Sequence, residues 1–149
     1  MTVRVQREDF DTASELERMT AGDTQVGAAV TFTGLVRDFG DGAIQRMTLE
    51  HYPGMTQRQL EAIVAEAQQR WPLAGCLVIH RYGELAPGDR IVLVITTSAH
   101  RQAAFDACAF LMDWLKTKAP FWKLEEHGGE RRWVEAKASD DEAAARWRR

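Results

Sequence analysis

Lys116 and Lys123 frame the segment Leu115-Lys-Thr-Lys-Ala-Pro-Phe-Trp-Lys123, where a helical pattern ends, Pro120 breaks the chain and aromatic residues begin a strand. Amines this close in sequence can hold an anion between them. They can also depress each other's proton affinity, leaving one free to act as base or nucleophile. Other basic residues stand at the ends of predicted elements. Arg37 closes a strand beside a Gly-containing loop, and His100 and Arg101 open a helix. A helix N-terminus favours anions, so a His-Arg pair there adds side-chain charge to the dipole. Lysines near a helix C-terminus also serve as ordinary dipole compensation, so each of these residues taken singly has a plain structural reading beside the chemical one.

Spacing separates these groups into two sets. At 100° per residue Arg101, Phe105, Met112 and Lys116 share one stripe of the helix, with Met112 one turn before Lys116. Arg101 and Lys116 are nevertheless fifteen residues apart, roughly 22 Å along the axis at ~1.5 Å per residue. One small ligand cannot touch both from a single helix. They serve different sites, or a second subunit brings its His100 and Arg101 to Lys116; the second arrangement is the one expected.

The elements that must carry these groups are legible from periodicity. Residues 3–7 alternate as a short strand, and Asp11 begins a short helix as an acidic N-cap. Val26–Arg37 is β-branched and small, as in a covered strand, and Ile44–Tyr52 reads as its returning partner across Asp38–Gly42. Regular alternation sets Phe32 and Arg37 on opposite faces unless Gly34 marks a bulge. Thr56 and Gln59 fit a capping box before Leu60, Ile63, Val64, Ala67 and Trp71, and Pro72 closes that helix. Strands follow at Cys76–Tyr82 and Arg90–Thr97, separated by Pro87-Gly-Asp89. Ser98 caps a second long helix with Ala104, Ala107, Cys108, Leu111 and Leu115 on its apolar face. Phe121–His127 and Arg131–Ala136 flank Gly128-Gly129 as a hairpin, and Ser139 starts a last helix ending in Arg146, Arg148 and Arg149, a polarity that suits its dipole. The expected class is α+β, one domain over residues 1–149, with two main helices on a mixed, largely antiparallel sheet and a small C-terminal hairpin.

Bulk properties exclude several functions. The chain has 149 residues, 19 basic against 22 acidic side chains and a net charge of -3, which argues against nucleic acid as the main partner. No window approaches the ~20 apolar residues of a membrane span, and the N-terminus lacks the apolar stretch of a signal peptide, so a cytoplasmic protein is expected. Cys76 and Cys108 lie in apolar patterns without metal-ligand spacing and read as buried thiols. No phosphate-binding Gly-rich loop, HExxH or GxSxG is present. His51, His80, His100 and His127 are scattered, and no metal site is expected from them.

Five separated blocks resemble one family: Phe32-Thr-Gly-Leu-Val-Arg37, Leu49-Glu-His-Tyr-Pro-Gly-Met55, Ile79-His-Arg-Tyr-Gly-Glu-Leu85, Ser98-Ala-His-Arg101 and Leu115–Lys123. In this order they look like the large, catalytic subunit of molybdopterin synthase, a sulfurtransferase of molybdenum cofactor biosynthesis, with the likeness strongest over residues 26–137. The resemblance implies an α/β hammerhead fold and a homodimer that binds two small ubiquitin-like carriers ending in Gly-Gly, a heterotetramer. Each carrier's C-terminal thiocarboxylate would give sulfur to cyclic pyranopterin monophosphate, with no metal or separate cofactor. It further implies Lys116 and Lys123 as catalytic lysines, with Leu35, Val36, Arg37, His100, Arg101, Leu124 and Glu125 completing the substrate site. Phe32, Met112 and Lys137 would line the pocket, and His100 and Arg101 would come from the partner subunit. The alternative is a non-catalytic adaptor that binds the carrier or an anionic ligand without turnover.

Overall fold

The computed structural model describes residues 1–38, 46–127, 130–134 and 138–148. Their order is β1 (Thr2–Gln6), α1 (Thr12–Thr20), β2 (Ala28–Leu35), β3 (Arg46–His51), α2 (Met55–Arg70), β4 (Leu73–Arg81), β5 (Gly83–Leu85), β6 (Arg90–Ser98), α3 (Arg101–Thr117), β7 (Phe121–His127), β8 (Glu130–Val134) and α4 (Ala138–Ala145). The strands divide between two four-stranded sheets, β1-β4-β6-β2 and β5-β3-β7-β8. The β1–β4 pair is parallel and the other pairs are antiparallel.

Both faces of the first sheet are covered, which is why β4 and β6 read as continuous apolar runs rather than alternating ones. Cys76, Val78, Val92 and Val94 meet Ile63, Val64, Ala67, Cys108 and Leu111 of α2 and α3. Leu77, Ile79, Leu93 and Ile95 face the other way, onto Phe10 and the α1 residues Leu16 and Met19. Burying one such side chain contributes about 1.5–3 kcal/mol. A third, smaller core of Val36, Met47, Leu49 and Leu85 takes in Ile91 of β6 and so ties the second sheet to the first. Cys76 and Cys108 are free buried thiols, and burial pushes the first up to about 12 and the second to about 11.

Several local expectations hold. Asp11 caps α1 by accepting the Ser14 N–H at 3.3 Å. The α2 helix ends at Arg70, before Pro72, and β7 pairs with β8. The Gly128-Gly129 turn of that pair lies outside the described residues, as does Lys137. Three expectations need correction. β2 and β3 do not form a hairpin, because β2 pairs with β6 in one sheet and β3 with β5 and β7 in the other. Thr56 is not an N-cap: Gly54, at φ 81°, takes that position, and the buried Thr56 hydroxyl donates to the Tyr52 carbonyl at 2.7 Å. His100, not Ser98, is the N-cap of α3, and the Ser98 hydroxyl donates to the Pro72 carbonyl at 2.8 Å while accepting the His100 N–H at 3.5 Å. Arg146 does more than complement the α4 dipole. It and the Trp147 indole N–H both donate to Asp113 of α3, at 2.8 and 2.6 Å.

Candidate functional site

Each basic group sits where a sequence break forces an element to end. α3 follows β6 directly and packs back along it and along β2, so its last turn lies near the start of β6. Lys116 is therefore carried toward Val92, while His100 and Arg101 remain at the other end of the helix, beside Ser98. The C-terminal end of a helix favours a cation, which suits Lys116. It is exposed, one turn beyond Met112, which is buried in the main core.

Register decides what shares a face in the second sheet. Lys123 pairs with Leu49, Phe121 with His51 and Glu125 with Met47. Directly paired residues project to the same side. Lys123 is half-buried on the face of β7 that carries the small core, with Phe121 and Glu125 on either side. Leu124 pairs with Thr48 and points to the opposite face. The structure thus separates Leu124 from Lys123 and Glu125, although the three are consecutive.

The Leu35–Arg37 segment arrives at the same end of the fold. Gly34 pairs with Val92 and Leu35 with Arg90, so the β2–β6 register slips there. Ile91 is the residue passed over, so the extra residue belongs to β6 and β2 keeps its alternation. A Cβ on Gly34 would lie 2.8 Å from Val92 Cγ1, so only glycine fits without displacement. Beyond the slip the Val36 N–H donates to the Asp89 carbonyl at 2.8 Å and the Gly88 N–H to the Val36 carbonyl at 2.7 Å. Val36 is buried against Met47, Leu49 and Leu85, so it anchors the segment while Leu35 and Arg37 stay exposed on either side. Leu35 to Asp38 line an open cavity of about 660 Å³ with Pro87 and Gly88.

His80, from which no metal site is expected, has a distinct place in the structure. It continues the buried row Cys76, Val78 on β4 and pairs with Val92. Its ring stacks on Phe121 at 3.8 Å and 16°. Nδ1 donates to the Arg81 carbonyl at 2.8 Å. Burial holds the imidazole well down, to about 4, and the charges of Lys116, Lys123 and His51 push in the same direction. Both lysines therefore act on one buried, neutral ring. His51 packs on Tyr82 at 4.4 Å and on Phe121 at 5.9 Å. Among the described residues no three His, Cys, Asp or Glu side chains form a metal-binding group.

Lys116, Lys123, Arg37 and Leu35 are thus gathered at one end of the domain, whereas His100 and Arg101 of the same chain are not. The arrangement is that of an α+β domain with a helix-end lysine and a strand lysine around a neutral imidazole, and an arginine loop at the same end. The MoaE protein family model matches residues 5–118, and the chain belongs to that family. It is 56% identical to the molybdopterin synthase catalytic subunit of Mesorhizobium japonicum, over 99% of this chain and 93% of that protein. It is 55% identical to the protein of the same name from Pseudomonas aeruginosa, over 99% of both. The solved molybdopterin biosynthesis MoaE protein of Burkholderia ambifaria superposes with a TM-score of 0.84 at 48% identity, covering 98% of this chain and 97% of that one.

Proposed function

We propose that this chain is the large, catalytic subunit of molybdopterin synthase and acts as a sulfurtransferase. It receives the C-terminal thiocarboxylate of a small ubiquitin-like carrier and passes its sulfur to cyclic pyranopterin monophosphate. Two such transfers open the cyclic phosphate and leave the dithiolene of molybdopterin. The observation that carries this reading is the convergence of Lys116 and Lys123, from separate elements, on the buried His80. Lys116 moves a proton or stabilises the tetrahedral species at the thiocarboxylate; Lys123 receives the carrier's terminus or the developing negative charge. Arg37 contacts the phosphate or pterin. Glu125, on the face of Lys123, forms the adjoining wall with Phe32 and Met112.

His100 and Arg101 complete the site from a second copy of the chain. Their distance from Lys116 along α3, roughly 22 Å at ~1.5 Å per residue, supports this. So does β2, which among the described residues is the edge strand of the first sheet. On the α3 side of it, Phe32 and the α3 residue Phe105 are 38 and 58% exposed, an apolar surface suited to a partner. The proposed assembly is a homodimer with one carrier on each large subunit, a heterotetramer acting in the cytoplasm. The test is a reconstituted reaction of the purified chain, a thiocarboxylated carrier and cyclic pyranopterin monophosphate. Molybdopterin is the expected product; a carrier that binds but releases no sulfur would make the chain an adaptor.

A further inference from the structure

His80 has a role that charge alone does not supply. Because the Arg81 carbonyl can only accept, Nδ1 carries the proton and Nε2 of the neutral ring is a bare acceptor. Among the described residues no buried side-chain nitrogen or oxygen lacks a partner, so Nε2 is the edge at which the ring meets solvent. The flat face of the ring lies on Phe121, two residues before Lys123 on the same face of β7. The titratable groups around it are Lys116 from α3, Lys123 from β7 and His51 from β3. Two ammonium groups meeting here are repelled by any third cation, whereas an uncharged acceptor gives an ammonium N–H a fixed direction.

We propose that His80 is a positioning residue of the sulfur-transfer site: its uncharged ring, clamped by the Arg81 carbonyl and by Phe121, fixes the β7 segment that carries Lys123 and offers Nε2 as acceptor to the lysine ammonium groups. The inference rests on the reading of the chain as molybdopterin synthase. It assigns His80 no direct contact with substrate.

Two arms test it. In the reconstituted reaction His80→Phe keeps the stacked ring but removes the acceptor, and His80→Gln restores an acceptor without the ring. A loss of kcat of at least tenfold is expected for His80→Phe, with little change in KM and partial recovery in His80→Gln. Turnover of His80→Phe within twofold of the unsubstituted chain would overturn the proposal. So would equal losses in both variants that merely follow their melting temperatures, since that marks packing alone. The second arm needs no turnover: NMR titration of the His80 imidazole in Lys116→Ala and in Lys123→Ala. Its midpoint is expected to rise in each variant, because each lysine disfavours the imidazolium; midpoints unmoved in both would also overturn the proposal. If the unsubstituted chain makes no product, the sulfurtransferase reading fails, and the titration still decides whether His80 is coupled to the lysines.

Discussion

Gly27 immediately precedes β2, and its N–H donates to the Ser98 carbonyl at 3.0 Å, just before α3 begins. A Cβ at this position would stand 2.2 Å from the Ala99 carbonyl oxygen, where ordinary contact begins at 3.4 Å. Backbone cannot rotate away as a side chain can, so Gly27→Ala must open the β2–α3 junction by about 1 Å. Ala99 is followed by His100 and Arg101, so the displacement reaches the pair assigned to the partner's site. Overpacking of this kind costs about 1–3 kcal/mol, or a few degrees in Tm for a chain of this size. An error near 1 Å in a positioning group costs up to about 100-fold in rate. Gly27→Ala is therefore expected to remain folded while kcat/KM for the pterin substrate falls on the order of 10- to 100-fold. Gly75→Ala is the control: its Cβ meets only side-chain atoms, the flexible Met19 methyl and the Thr97 hydroxyl at 3.0 Å, which can give by a few tenths of an ångström without moving backbone, and activity should persist. Thermal melts and steady-state kinetics read both variants. A Gly27→Ala protein with lowered Tm and unchanged kcat/KM would refute the placement of His100 and Arg101 in the site.

Three further expectations follow from the same geometry. If Lys116 and Arg101 act in one site from different copies, Lys116→Ala and Arg101→Ala chains, each inactive alone, should regain about a quarter of normal activity when unfolded together and refolded as a mixture; no recovery would place both groups in one chain's site. His80 is held neutral in the fold at about 4, below its ordinary 6.5, so between those values the unfolded chain binds more protons than the native one. Stability should be fully present above pH 6.5 and decline as pH falls toward 4, and His80→Gln should flatten that decline in urea midpoints. Asp113→Ala removes the acceptor of both Arg146 and Trp147; a loss of about 1–3 kcal/mol is expected in denaturant unfolding, with early proteolysis of the C-terminal helix.

The parts of this fold legible in the sequence are those set by local chemistry. The apolar runs of β4 and β6, the Asp11 cap and the buried Cys76 and Cys108 all follow from side-chain type and spacing. Long-range pairing is another matter. β2 and β3 adjoin in sequence and have strand character, yet β2 finds β6 and β3 finds β7, a choice made by which apolar faces can be covered. Thr56 and Ser98 have cap chemistry, but their hydroxyls are taken by the carbonyls of Tyr52 and Pro72. In the site, Lys116 and Lys123 stood out because they flank Pro120, and the 22 Å span (roughly, from helix rise) separated them from Arg101. His80 was missed for want of a chemical partner nearby in sequence. A usable signal was present: it falls in step with Cys76 and Val78 on one strand face, where a histidine must be buried and answered by a hydrogen bond.

Lys116 is proposed to turn binding into chemistry. The most direct test of this role compares the unsubstituted chain with Lys116→Ala in the reconstituted reaction, while carrier binding is followed separately by calorimetry. Molybdopterin formation is expected to vanish while affinity for the carrier stays within a few-fold, because a residue needed only in the transition state lowers rate without loosening the ground state. Product formed by Lys116→Ala at the normal rate would contradict it.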